Sequence, residues 1–155
     1  YVPAAGAPES ANGENGNLWV TVRPADNVRI DNSYILDRVL EPDTGLNVYN
    51  NHIVRSKVNY QFSRELSLRV IAQYNAVLAN PTVSSLQNTK AFNTDFLISY
   101  LVHPGTALYM GYNSDLQNLD PALSMNPSGD LLRTRDGFLN DSRQFFIKIS
   151  YLFRR

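Results

Sequence analysis

The sequence contains no cysteine, which excludes a disulfide framework and any metal site built from thiolates. It also has no apolar run near the roughly 18 residues that a membrane-spanning helix needs. The longest such run, Phe96 to Val102, includes Ser99. Acidic and basic side chains number 14 each, and this zero net charge argues against a general nucleic-acid surface. The lack of a long apolar run excludes a helical membrane protein. It does not exclude a barrel of membrane strands, because such strands alternate in polarity.

What the sequence does contain is period-two alternation, clearest in its last stretch, from Asp141 to Phe153. Alternate positions from Phe145 to Phe153 are all apolar, whereas the positions between them include Gln144 and Lys148. This period places the two sets on opposite faces of a strand. Such a strand fits the core of a soluble sheet. It also fits a transmembrane barrel, in which the apolar face meets lipid and aromatic residues lie at the interface.

The same alternation recurs along the chain and predicts an all-β protein, an antiparallel up-and-down meander of about seven strands. At 155 residues the chain is long enough for one domain. We interpret 1–16 as a loop or the remnant of an upstream region, and 17–155 as the C-terminal segment of a β-barrel. The predicted strands are Leu18–Arg23, Val28–Leu40, His52–Phe62, Leu66–Ala76, Phe92–Val102, Ala107–Asn113 and Asp141–Phe153.

The connections between the predicted strands alternate in length. The short links span 24–27, 63–65 and 103–106, and the long ones span 41–47, 78–91 and 114–140. In a meander this alternation collects the short turns at one end and the long loops at the other, as in outer-membrane barrels. The C-terminus is then expected at the short-turn end.

Aromatic residues on the apolar parity gather near both ends of the predicted strands, with mainly Val, Ile, Leu and Met between them. Those nearer the short turns are Tyr60, Phe62, Tyr100, Tyr151 and Phe153, and those nearer the long loops are Tyr34, Tyr74, Tyr112 and Phe145. Two aromatic girdles around an aliphatic band predict a transmembrane β-barrel. The alternative is a soluble sandwich with aromatic residues in its core, but a sandwich does not require them to gather at both strand ends.

The opposite parity collects six basic and two acidic side chains. These are Arg23, Arg29, Asp31, Arg55, Lys57, Arg69, Asp95 and Lys148. In a barrel they face the lumen, and the basic excess suggests selectivity for anions or acidic sugars. The alternative interpretation is a set of crossed ion pairs that fills the barrel interior, which is normally polar.

Other chemistry finds little support in the sequence. The last long loop carries aspartates at 115, 120, 130, 136 and 141, but their spacing matches no EF-hand, so we expect no metal site. His52 and His103 are expected at opposite ends of the barrel, where they cannot share a metal or one triad. Because no nucleophile, phosphate-binding or metalloprotease motif is present, we name no catalytic residue and expect no cofactor.

Five runs of sequence resemble the C-terminal end of a bacterial outer-membrane family. In that family a carbohydrate-binding family 9-like domain precedes a C-terminal barrel of uncharacterised function. The runs are His52–Phe62, Arg64–Arg69, Tyr74–Asn75, Pro104–Tyr112 and Arg143–Phe153, within a match that covers about residues 50–153. The resemblance implies a bacterial outer-membrane location, contact with outer-membrane lipid, and carbohydrate bound by an upstream domain rather than by any residue of this chain.

The final strand also resembles the C-terminal signal read by the barrel-assembly machinery, which implies that machinery as a partner. That signal ends in an aromatic residue after alternating apolar residues, and Arg154 and Arg155 depart from the pattern by two residues.

Together these patterns predict an integral outer-membrane β-barrel that passes solutes or anchors a carbohydrate-binding domain. The alternatives are a soluble all-β ligand-binding module and an outer-membrane hydrolase with its site in the external loops. Because the first predicted strand is only about six residues long, too short to close a barrel, we expect an open sheet with 143–153 on a free edge. Bacterial barrels are usually even-stranded, so at least one further strand is expected upstream.

Overall fold

The computed structural model describes residues 10–118 and 138–152. These residues form one sheet of seven strands in sequence order, and every neighbouring pair is antiparallel. The strands are β1 (Asn12–Ala25), β2 (Val28–Leu40), β3 (Asn47–Gln61), β4 (Leu66–Ala79), β5 (Thr89–His103), β6 (Thr106–Asn118) and β7 (Leu139–Tyr151). The all-β meander predicted from the alternation is therefore confirmed. In the described ranges, no helix has the length and apolar character to span a membrane.

The first strand is longer than the alternation indicates. It begins at Asn12, so the prediction of a loop up to residue 16 and a first strand of about six residues is wrong. Residues 12–16 are Asn, Gly and Glu, which lack periodicity, yet they pair with residues 36–40 of β2. A Cβ added at Gly13 or Gly16 would meet no atom within 4 Å, so backbone pairing rather than side-chain packing extends this strand.

Several other strands also extend into segments predicted as loops. Only nine residues, 80–88, separate β4 from β5, and β6 continues to Asn118. The added residues do not alternate: Val77–Ala79 of β4 are all apolar, and those after Asn113 of β6 are mainly polar, while the strand pairing continues through both segments. The last strand begins at Leu139 and ends at Tyr151, so Phe153 of the predicted strand lies outside the described residues.

The short turns have the chemistry that tight hairpins require. Between β5 and β6, Pro104 precedes Gly105, whose φ of 95° lies in the left-handed region that favours glycine. His103 pairs with Thr106 directly across this turn. At the β3–β4 turn, the Ser63 hydroxyl accepts hydrogen bonds from the backbone N–H groups of Glu65 and Leu66. These local bonds fix the register of each hairpin.

The strands are staggered in a regular way. One row of directly paired residues crosses Val28, Leu68 and Met110, which are the first residue of β2, the third of β4 and the fifth of β6. The stagger is thus about one residue per strand. With about 3.3 Å per residue and about 4.8 Å between strands, this corresponds to a tilt of about 35°. Strands in closed barrels tilt by a similar angle, roughly 35–45°.

The sheet is open among the described residues. Its edges are β1 and β7, and each strand contacts only its sequence neighbours. An open meander with the last strand on a free edge is what we expected. The premise of a short β1 is nevertheless wrong, because β1 has 14 residues.

Buried apolar side chains are few and gather at the long-loop end. In the described ranges they are Val48, Ala76, Leu78 and Ala79. The loop of residues 80–88 is tied to this end: the Asn80 N–H donates to the Val48 carbonyl, and the Asn88 side chain accepts from the Ala79 N–H. Elsewhere the described residues form a single layer without a core.

Candidate functional site

One row of paired residues is apolar across all seven strands. It consists of Val22, Ile30, Val58, Val70, Phe96, Tyr112 and Phe145. We call the side of the sheet that carries this row the apolar face. Ile98, Ile147 and Ile149 share the face, and Ile149 is 73% exposed. An apolar surface of this kind, with many of its side chains exposed, is typical of contact with a partner or a membrane.

The aromatic residues of both predicted girdles lie on the apolar face wherever the register covers them. Tyr60, Tyr100 and Tyr151 share it at the short-turn end, and Tyr100 and Tyr151 are 43% and 58% exposed. These three rings therefore do not pack together as an interior core. Phe62, just beyond β3, packs edge-to-face on Tyr60 with ring centroids 4.4 Å apart. The girdle role itself stays a prediction, and Phe153 is outside the described residues.

The neighbouring row on the other side of the sheet is polar at six of its seven positions. It consists of Thr21, Asp31, Lys57, Ile71, Asp95, Asn113 and Gln144. We call this side the charged face. Three hollows, with volumes of about 330, 160 and 200 Å³, are lined mainly by residues of this face. That these side chains face a lumen stays a prediction.

Asp31 is the centre of the one ion-pair cluster among the described residues of the charged face. Its carboxylate accepts from Arg29 Nε at 2.8 Å and from Thr21 Oγ at 2.8 Å, and lies 3.6 Å from Lys57 Nζ. Asp95, the other predicted acidic residue, accepts a hydrogen bond from the Asn113 amide. Two of the six predicted basic residues, Arg29 and Lys57, thus share one aspartate.

The other four predicted basic residues, Arg23, Arg55, Arg69 and Lys148, form no ion pair with the described residues. Crossed ion pairs therefore account for only part of the basic excess on this face. The largest of the three hollows, about 330 Å³, lies at the short-turn end and includes Arg23, Arg29 and Arg69 in its lining. The side chains of Asn59 and Ser67 also line it, and alternation alone had not singled them out.

Gly111 and Phe146 form a close contact that the sequence analysis missed. They are directly paired on β6 and β7, and a Cβ at Gly111 would overlap the Phe146 ring. The ring therefore lies over the glycine on the charged face. An aromatic ring over a strand glycine is a known device of β-sheets. A glycine paired with an aromatic residue in the last two strands was the signal that could have revealed it.

A row of small side chains interrupts the apolar face. It contains Asn32, Ser56, Ala72, Thr94 and Ser114, and it continues to Arg143 on β7. Nearer the long loops, His52 shares this face, and its Nδ1 lies 2.8 Å from the Tyr34 hydroxyl. His103 lies at the opposite, short-turn end of the sheet. The two histidines are therefore apart, as the sequence predicted.

No cluster of three or more potential metal ligands occurs in the part of the chain that the structure describes. Of the five loop aspartates considered for calcium, Asp115 and Asp141 are in β6 and β7, and Asp141 accepts a hydrogen bond from Gln117. The aspartates at 120, 130 and 136 lie outside the described residues.

Comparison with family models, with curated proteins and with solved structures found no match to this chain. The resemblance to the outer-membrane family with a carbohydrate-binding family 9-like domain therefore stays a prediction from the sequence.

Proposed function

We propose that this chain forms part of a β-barrel that spans the bacterial outer membrane, with the apolar face towards lipid and the charged face towards an aqueous lumen. One observation carries the proposal: two adjacent residue rows cross all seven strands on opposite sides of the sheet, one of them apolar throughout and the other polar except at Ile71. A barrel in lipid needs this arrangement because its outside contacts hydrocarbon and its inside contacts water.

The stagger of the strands supports the same proposal independently of side-chain polarity. A tilt of about 35° follows from the backbone register alone, and closing a sheet into a barrel requires such a tilt. In this arrangement β1 and β7 must find partners, because an open edge in lipid leaves backbone N–H and C=O groups without hydrogen bonds.

Within this proposal the protein passes solutes through its lumen or anchors a carbohydrate-binding domain. The first role is supported by the basic side chains and hollows of the charged face. The second role, the carbohydrate partner and recognition by the barrel-assembly machinery rest on the sequence resemblance.

Refolding in detergent tests the proposal. The purified chain should fold into detergent micelles or lipid vesicles, give a β-rich circular dichroism spectrum, and migrate differently on a gel before and after boiling. Folded barrels resist denaturation by the gel detergent until they are heated, so the shift reports a closed sheet. A chain that is β-rich, monomeric and soluble in buffer without detergent would contradict the proposal and favour a soluble binding module.

A further inference from the structure

We propose that the hollow between Arg23, Arg29 and Arg69 is a binding site for a small anionic solute with a carboxylate or phosphate group, such as an acidic sugar. We call it the arginine hollow. This inference rests on the proposed function for the route by which a solute reaches the site. The site itself is defined by residues of four neighbouring strands.

The register brings the three arginines to one end of the charged face. Arg29, Asn59 and Arg69 are directly paired on β2, β3 and β4, and Arg23 lies on β1 beside Arg29. Two strand spacings place the Cα atoms of Arg29 and Arg69 about 10 Å apart. Asn59 stands between them with a short side chain. Long arginine side chains from both sides can therefore converge on a group held above Asn59.

The hollow carries more positive charge than its own acids neutralise. Asp26 lines it but lies in no ion pair with the described residues, and Asp31 is divided between Arg29 and Lys57. Like charges on neighbouring strand positions destabilise a sheet. Arg23 and Arg29 lie on neighbouring strands, and an anion held among Arg23, Arg29 and Arg69 would reduce the repulsion between these cations. The site therefore has a physical reason to favour a negatively charged ligand.

The chemistry of the lining fits an acid that also carries hydroxyl groups. Arginine presents a planar fork of donors that matches carboxylate and phosphate oxygens in bidentate pairs. The Asn59 amide and the Ser67 hydroxyl add neutral donors and acceptors within the same hollow. Its volume of about 330 Å³ lies at the lower end for ligand pockets. A single sugar or a small phosphate ester is therefore the matching ligand size.

Titration calorimetry on the folded protein in micelles tests the site, with glucuronate and inorganic phosphate as probes and glucose as the neutral control. We expect saturable binding of at least one anion and none of glucose. The variants Arg23→Gln and Arg69→Gln should each weaken binding by about tenfold, because each loses one charge-assisted pair. Binding of glucuronate alone identifies a carboxylate site, and binding of phosphate alone identifies a phosphate site.

The matched control is Arg55→Gln, which removes an equal charge from the same face but from a different hollow. It should change the dissociation constant by less than about twofold. Equal weakening by Arg55→Gln and Arg69→Gln would overturn the site in favour of diffuse lumen charge, and so would the absence of anion binding to the folded protein. If Arg69→Gln fails to fold, Arg69→Lys takes its place, because lysine keeps the positive charge but lacks the planar guanidinium group that forms bidentate pairs.

The two proposals fail in distinguishable ways. If the gel shift shows a folded barrel that binds neither anion, only the arginine hollow is wrong. If the chain is instead soluble in buffer, the barrel proposal is wrong. The same titration in buffer then decides whether the hollow binds anions.

Discussion

The two faces of this sheet share one backbone but differ in the side chains of their central rows. From Val22 to Phe145 the apolar row has no charged residue, whereas the row beside it includes Asp31, Lys57 and Asp95. Because successive side chains of a strand point to opposite sides, adjacent residues meet different surroundings. In the proposed barrel this difference corresponds to two solvents, lipid on one side of the layer and water on the other.

In a soluble protein made of a single layer, the apolar face would be exposed to water, which is unfavourable. Soluble monomers rarely expose a contiguous apolar patch larger than a few hundred Å². Here exposed apolar side chains extend from Leu18 on β1 to Ile149 on β7, and among the described residues only the long-loop end is covered. Lipid would cover the apolar face while water hydrates the charged one.

The most direct test of whether the two faces meet different solvents is to place the same charge on each face at one level of one strand. Val70 and Ile71 are adjacent β-branched residues of β4 that point to opposite faces. If the apolar face meets lipid, Val70→Arg should cost about 2–4 kcal/mol near the midplane. The free energy of unfolding from lipid vesicles, measured in a denaturant titration, gives this cost. Ile98→Arg should behave similarly.

The matched control for Val70→Arg is Ile71→Arg, which places arginine on the charged face between Lys57 and Asp95. We expect a cost below about 1 kcal/mol there, since an arginine at this position stays hydrated and can pair with Asp95. Ser67→Arg, nearer the short turns on the same face, should also be mild. Equal costs for Val70→Arg and Ile71→Arg would mean that both faces meet the same solvent.

The division into faces was predictable from the sequence because it depends only on period-two alternation. The bounds of β2 were predicted without error for the same reason. The strand bounds were predicted wrongly where the alternation is weak. Residues 12–16 form a strand because β2 provides a pairing partner, not because their own sequence alternates. The ion pairs of Asp31 and the composition of the arginine hollow depend on cross-strand register, which alternation does not specify.

Substitutions at Gly111 and Phe146 test whether side chains on the charged face also pack closely against the sheet. Gly111→Ala places a methyl group against the Phe146 ring and should destabilise the folded protein by about 1–3 kcal/mol through overpacking. In the Gly111→Ala/Phe146→Ala double variant the ring is absent, so most of this penalty should disappear. Denaturant unfolding of the four proteins in micelles gives the coupling energy.

A coupling energy near zero would mean that Phe146 moves away from Gly111 without cost. Gly13→Ala provides the reference for strand glycines, because a Cβ there meets no atom within 4 Å. That variant should be neutral or slightly stabilising, since alanine restricts the unfolded chain more than glycine does.

The smallest expected effect comes from the row of small side chains on the apolar face. Thr94 lies in that row between Ala72 and Ser114, and its hydroxyl makes no hydrogen bond with the described residues. In hydrocarbon an unpaired hydroxyl is unfavourable, so Thr94→Val should stabilise the protein in lipid vesicles by about 1 kcal/mol or less. Thr89→Val, on the charged face of the same strand, should give no stabilisation. If Thr94→Val is instead destabilising in lipid, water or a polar partner contacts this row, and the apolar face is not wholly a lipid face.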